Sequence, residues 1–160
     1  MSKVLIIAAS DSSVPVMKGA EEILSEFNVS HELTISSAHR SPKRTLELIK
    51  DFQKNGGKVI ICGAGLAAHL AGVVAAHFPL PVIGVPLGDG PLKGLDALLA
   101  TLQMPSGIPV ATVGIDMSKN AGILAVQILA TSNSSLEEKL VEYKKKLADE
   151  VEEKVKKLSP

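Results

Sequence analysis

The residues best suited to chemistry in this chain follow three of its predicted strands. His39 and Arg40 come directly after the second predicted strand. Histidine exchanges a proton near neutral pH, and the arginine side chain presents a fixed fork of donors to phosphate oxygens. The pair therefore indicates a proton-transfer residue beside a phosphate-binding residue, although both residue types are also ordinary in a surface loop.

Hydroxyl groups follow the first predicted strand. Ser10, Ser12 and Ser13 precede Pro15, and proline is typical of the first turn of a helix. Free backbone N–H groups and the positive end of the helix dipole bind anions, so this segment predicts a phosphate or ribose site. Simple capping of the helix explains the same hydroxyls equally well.

Small residues follow the third predicted strand. Gly63, Ala64 and Gly65 would let a planar ring or a carboxylate approach the backbone amides. Tight packing of a helix on the sheet requires small residues too. His69 lies within the predicted apolar helix that follows, where a hydrogen-bonded structural role near the site is favoured over a catalytic one.

Short apolar runs alternate with longer helical patterns along most of the chain. Buried strands of this kind need helices on both faces, so we predict a three-layer α/β fold with a doubly wound parallel sheet. The predicted strands are 4–9, 31–36, 58–62, 81–85 and 109–113. The predicted helices are 15–27, 42–52, 66–77, 94–102, 121–129 and one that Ser134 or Ser135 starts as the N-cap residue. The carboxyl ends of such strands meet at one edge of the sheet, where ligands bind.

The domain organisation predicted from the sequence is a catalytic domain over 1–132 and an amphipathic helix over 133–160. We expect this helix to pack on the domain or on a neighbouring subunit. The segments 66–76 and 121–130 each contain a single polar side chain, and a helix that is apolar all round must be buried all round. This favours a homo-oligomer, with cover by a loop as the alternative.

Composition excludes several classes of protein. Seventeen basic and seventeen acidic residues balance, so we expect no binding to nucleic acid or membranes. Cys62 is the single cysteine and is expected to be a buried hydrophobic residue. The four histidines show no metal-ligand spacing, and the run 4–9 is too short for a signal peptide. The expected location is the cytoplasm.

Six sequence blocks, taken in order, resemble the PurE family, the N(5)-carboxyaminoimidazole ribonucleotide mutases of purine biosynthesis. The resemblance covers the chain from Val4 to about Ala130. The blocks are SAHR at 37–40, GAGLAAHLAG at 63–72, PVIGVP at 81–86, GLDALL at 94–99, QMPSGIPVAT at 103–112 and NAGILA at 120–125. The second block is similar to the mutase class more than to the animal-type carboxylases.

The resemblance implies a flavodoxin-like fold, a homo-octamer with sites at subunit junctions, and no metal or organic cofactor. It implies a transfer of carboxylate from the exocyclic amine of the imidazole to ring carbon 4, with His39 as general acid and base. The substrate-binding residues it implies are Ser10, Ser12, Ser13, Ser37, Ala38, Arg40, Gly63, Ala64, Gly65, Ala67, His69 and Leu70.

The chain departs from the family pattern in its first loop, where Ser13 replaces an aspartate that contacts the nucleotide. Loss of a charged hydrogen bond there would cost about 1.5–3 kcal/mol. The segment 88–90 and the segment 70–72 also differ. Two alternatives to the mutase therefore stay open: a carboxylase that uses carbon dioxide directly, and a degenerate paralogue that binds nucleotides without turnover.

Overall fold

The computed structural model of the chain describes residues 2–158. Among these residues, five parallel strands form one sheet in the order β2-β1-β3-β4-β5. The strands are β1 Val4–Ala8, β2 His31–Ile35, β3 Val59–Ala64, β4 Val82–Pro86 and β5 Ala111–Thr112. This order is that of the flavodoxin-like doubly wound sheets, so the predicted fold class is confirmed.

The sheet is most apolar at its centre. Every residue of β1, β3 and β4 is buried, because these strands are covered by helices on both faces. The edge strands differ, since β2 has the polar sequence HELTI and no buried residue. The short β5 forms the opposite edge.

Helices cover both faces of the sheet. The helices are α1 Val14–Glu26, α2 Pro42–Lys54, α3 Leu70–His77, α4 Leu95–Leu102, α5 Ser118–Ala130 and α6 Ser134–Leu158. On one face, Leu5 and Ile60 join a core cluster with Ile49 of α2 and Val74 of α3. On the other face, α1 packs on β1 and β2, and the Ser118 hydroxyl at the start of α5 donates to the backbone oxygen of Val16 in α1.

Helix α3 begins four residues later than predicted. Leu66 has a left-handed backbone (φ 53°), and the N–H groups of Ala68 and His69 donate to the carbonyls of Leu66 and Ala67. This tight turn prevents a helix from starting at Leu66. The prediction that His69 lies inside the helix is therefore wrong, because His69 is the N-cap residue.

The C-terminal helix starts as predicted within one residue, but its cap differs. The backbone N–H of Leu136 donates to the side-chain oxygen of Asn133 at 3.3 Å. Asn133 therefore takes the capping position expected of Ser134 or Ser135. Among the residues of α6 that the structure describes, Leu140 is buried, while Leu147 and Val151 are exposed.

Contacts within the chain divide it into one compact unit that ends at Ala125 and a second that begins at Val126. None of the helices described is long and apolar enough to cross a membrane. Within α5, residues 121–130 are buried or half-buried throughout. In α3, by contrast, Ala76 and His77 are exposed.

Gly63 in β3 packs directly on α1. A Cβ at this position would collide with the Met17 side chain, which is fully buried. The glycine thus allows close approach of α1 to the sheet, which is the packing role that the sequence left open.

We expect Gly63→Ala to lower the free energy of unfolding by about 1–3 kcal/mol, since the fully buried Met17 side chain would have to shift within the core. Urea unfolding of the variant measures this change. Adding Met17→Ala should relieve the collision, so the double variant should lose less stability than the two single changes added together. Strict additivity would contradict this account of the contact.

Candidate functional site

One cavity of about 530 Å³ lies at the carboxyl ends of the strands. Its wall is built by the loops that follow β1, β2, β3 and β4, which we call loops 1 to 4. The lining residues are Ala9, Ser10, Asp11, Ser12, Ser13, Ser37, Ala38, His39, Arg40, Ala64, Gly65, Leu66, Ala67, His69, Leu70 and Asp89. The strand order reverses between β1 and β3, so the cavity sits at the topological switch point of the sheet.

Two imidazole rings meet on the cavity wall. Nε2 of His39 in loop 2 and Nδ1 of His69 in loop 3 lie 2.8 Å apart, within hydrogen-bonding distance. The rings are perpendicular, with centroids 4.9 Å apart. One nitrogen of this pair must carry the proton while the other accepts it, so the tautomer of each ring fixes that of the other.

The polar side chains of loop 1 bond mainly to one another. The Ser10 hydroxyl lies 2.9 Å from the hydroxyls of both Ser12 and Ser13, and residues 11–13 form a short 3₁₀ helix that leads into α1. Neither Ser10 nor Ser13 makes a side-chain capping hydrogen bond. The hydroxyls therefore form a cluster at a helix entry, and helix capping does not explain them.

Arg40 links loop 2 to loop 1. Its backbone N–H donates to the Ser37 hydroxyl at 3.1 Å, and its Nη2 donates to the Ala9 carbonyl at 3.5 Å. The guanidinium is exposed and borders the serine cluster, so its remaining donors can reach an anion in the cavity. Ser37 is held in turn by hydrogen bonds between its backbone and Ser41.

The residues predicted for the site converge on this cavity with one exception. Gly63 is buried against Met17 and is absent from the cavity wall. The sequence reasoning missed Ala9, Asp11, Leu66 and Asp89 as lining residues. Asp89 had a usable signal, because loop 4 follows a strand that pairs with β3 and must end beside loop 3.

The cysteine, the possible metal ligands and the exposure of the site remain to be described. Cys62 is buried in the core, and this burial raises the pKa of its thiol. Within residues 2–158 there is no group of three or more His, Cys, Asp or Glu side chains placed to hold a metal ion. His39, Arg40 and His69 are exposed in the isolated chain.

Comparison with known proteins identifies close relatives. A sequence model of the AIR carboxylase family matches residues 3–150. The N5-carboxyaminoimidazole ribonucleotide mutase of Pyrococcus horikoshii is 54% identical over 153 residues, covering 96% of this chain and 86% of that protein. The mutase of Thermotoga maritima is 52% identical, with coverage of 99% and 92%. A crystal structure of Treponema denticola PurE superposes with a TM-score of 0.90 at 26% identity, covering 98% of each chain.

The position of Arg40 predicts that the cavity binds simple anions. We expect Arg40→Ala to weaken binding of inorganic phosphate about 10- to 150-fold, the effect of losing a hydrogen bond to a charged group. Isothermal titration calorimetry measures this affinity. Arg44→Ala is the matched control, since Arg44 donates to Thr34 and to the Ile35 carbonyl outside the cavity. Equal effects of the two substitutions would argue against an anion site at Arg40.

Proposed function

This chain belongs to the AIR carboxylase family, and we propose that it is an N5-carboxyaminoimidazole ribonucleotide mutase in which His39 transfers the proton. The reaction makes it an isomerase of purine biosynthesis, as the names of its relatives indicate. One observation carries the role of His39: its imidazole pairs with His69 on the wall of a cavity that also holds a guanidinium.

The reaction needs a single proton-transfer group. The carboxylate leaves the exocyclic nitrogen, which gains a proton, and it bonds to ring carbon 4, which loses one. The atoms of the nucleotide are conserved, so one side chain can donate the first proton and remove the second. A histidine suits both steps, because its two forms interconvert near neutral pH.

The hydrogen bond with His69 holds His39 while it changes between a base and an acid. When Nε2 of His39 donates to Nδ1 of His69, Nδ1 of His39 has a free lone pair and can act as a base. Uptake of the proton from ring carbon 4 at this Nδ1 makes His39 an acid, and release of that proton to the exocyclic nitrogen restores the base. His69 accepts from Nε2 of His39 throughout and acts as a positioning residue.

The binding of the nucleotide follows from the remaining wall. We place its phosphate at Arg40 and the serine cluster of loop 1, where helix entries supply further N–H donors. The small residues Ala64 and Ala67 of loop 3 then let the imidazole carboxylate approach backbone amides near His69.

Carbon dioxide released in the site must be kept from water, yet the paired histidines are exposed in the isolated chain. We therefore propose that neighbouring subunits close the cavity in a homo-octamer. Four leucines on and before α4 form an exposed stripe that supports such packing. They are Leu92, Leu95, Leu99 and Leu102, which are 60%, 53%, 47% and 53% exposed. The small nucleotide substrate leads us to place the enzyme in the cytoplasm.

His39→Asn should abolish conversion of the carbamate nucleotide while leaving its affinity within a few-fold of wild type. General acid–base assistance is typically worth about 10²–10⁴ in rate. Single-turnover assays measure conversion, and calorimetry measures binding. Unchanged turnover would rule out His39 as the proton-transfer residue.

The same wild-type assay separates the alternatives. A mutase converts the carbamate nucleotide without bicarbonate, whereas a direct carboxylase converts aminoimidazole ribonucleotide only when bicarbonate is supplied. Binding without conversion of either substrate would favour the degenerate paralogue.

Leu99→Glu should dissociate the assembly, because it places an unpaired charge in the proposed interface at a cost of about 3–5 kcal/mol. Sedimentation velocity measures the particle mass, and turnover should fall with it. Gln53→Glu adds the same charge to an exposed position of α2 and should leave both unchanged. An intact octamer with glutamate at position 99 would contradict the proposed interface.

A further inference from the structure

Asp89 is an acidic group of the cavity that the proposed mechanism leaves without a role. It lies in loop 4, which follows β4, and its side chain reaches the cavity wall. Of the described residues that line the cavity, Asp11 and Asp89 carry carboxylates. Asp11 belongs to the short helix beside the serine cluster, whereas Asp89 approaches from the other side.

Asp89 is exposed, and its loop approaches loop 3 at two glycines. A Cβ at Gly65 would collide with the Asp89 carboxylate, so the carboxylate lies against the backbone of loop 3. A Cβ at Gly90 would meet the Leu66 side chain at 2.5 Å. These glycines let loop 4 approach loop 3 and direct the carboxylate into the cavity.

A second aspartate, Asp116, holds loop 4 in place through hydrogen bonds. The Gly88 N–H donates to Oδ1 of Asp116 at 2.9 Å, and the Asp116 N–H donates to the Pro86 carbonyl at 2.9 Å. Asp116 has a left-handed backbone (φ 59°), a conformation that aspartate tolerates better than most residues. Asp116 is therefore a positioning residue for the loop that carries Asp89.

The charge of Asp89 restricts which part of a ligand it can face. Strands β2 and β4 are three places apart in the sheet, so loop 4 lies about 14 Å from the loop that carries Arg40. A carboxylate accepts hydrogen bonds and repels anions. The ligand group that suits Asp89 is therefore an uncharged N–H or O–H donor, and neither the phosphate nor the transferred carboxylate suits it.

We propose that Asp89 determines nucleotide specificity by accepting a hydrogen bond from an uncharged donor of the substrate, either a ribose hydroxyl or the exocyclic amine. The identity of the ligand rests on the proposed function. The contact itself requires only that a phosphorylated ribose derivative occupies the cavity with its phosphate at Arg40.

The test measures binding to Asp89→Ala by calorimetry, without turnover. We expect aminoimidazole ribonucleotide to bind about 10- to 150-fold more weakly than to wild type, while inorganic phosphate binds as before. Asp89→Asn keeps a neutral acceptor and should lose less. Asp51→Ala removes an exposed carboxylate of α2 outside this cavity and is the matched control.

Two smaller probes distinguish the donors. A ribose hydroxyl as donor requires Asp89→Ala to weaken ribose 5-phosphate, with 2-deoxyribose 5-phosphate unchanged if the donor is the 2-hydroxyl and weakened as well if it is the 3-hydroxyl. The exocyclic amine as donor requires both sugars to bind as to wild type while the full nucleotide weakens. Wild-type affinity of the nucleotide for Asp89→Ala would overturn the proposal. Equal tightening of every phosphate, including inorganic phosphate, would also overturn it, since Asp89 would then act only by repulsion.

A failure of this proposal can be distinguished from a failure of the proposed function. A wild-type protein that binds the nucleotide and converts neither substrate defeats the mutase assignment but leaves the Asp89 contact measurable. If the protein is a mutase whose nucleotide affinity is unchanged by Asp89→Ala, the proposed reaction stands and this inference is wrong.

Discussion

The hydrogen bond between His39 and His69 joins two loops whose strands are separated by β1 in the sheet. Strands two places apart lie about 10 Å from each other, so only side chains that lean over loop 1 can meet. The small serines of loop 1 leave that space open. The early turn at Leu66 keeps His69 at the entry of α3. A helix that began at Leu66 would carry His69 round its axis and remove it from its partner.

Much of this arrangement can be predicted from the sequence, because parallel strands constrain their ends. The apolar runs of β1, β3 and β4 identify the buried centre of the sheet, and the residues after them must gather at one edge. The polar β2 is predicted as well, as a strand over 31–36. What could not be predicted depends on single backbone conformations. The left-handed Leu66 sets the place of His69, and no pattern of apolar residues encodes it.

Gly63 and Asp89 are two further residues whose roles could not be predicted from the sequence. Gly63 stands among site residues in the sequence, yet its missing side chain serves the contact with Met17. Asp89 stands between two glycines in what resembles an ordinary turn, yet packing against Gly65 brings it to the cavity. The direction in which each residue of a strand end points depends on the pleat and on the loop that follows. The register of a strand therefore predicts which residues reach a site better than their proximity in sequence to other site residues does.

The two ends of the cavity differ in the charged groups that line them. At one end Arg40 and the helix entries of loops 1 and 2 favour an anion and oppose the Asp11 carboxylate there, whereas Asp89 disfavours an anion at the other end. The proposed binding mode, with the phosphate at Arg40 and the ring beside the paired histidines, agrees with this difference. Leu66, which is 53% exposed on the cavity wall, offers an apolar surface to whatever closes the site. A neighbouring subunit that covers Leu66 would remove water from the histidines in the same step, so assembly and catalysis would depend on one interface.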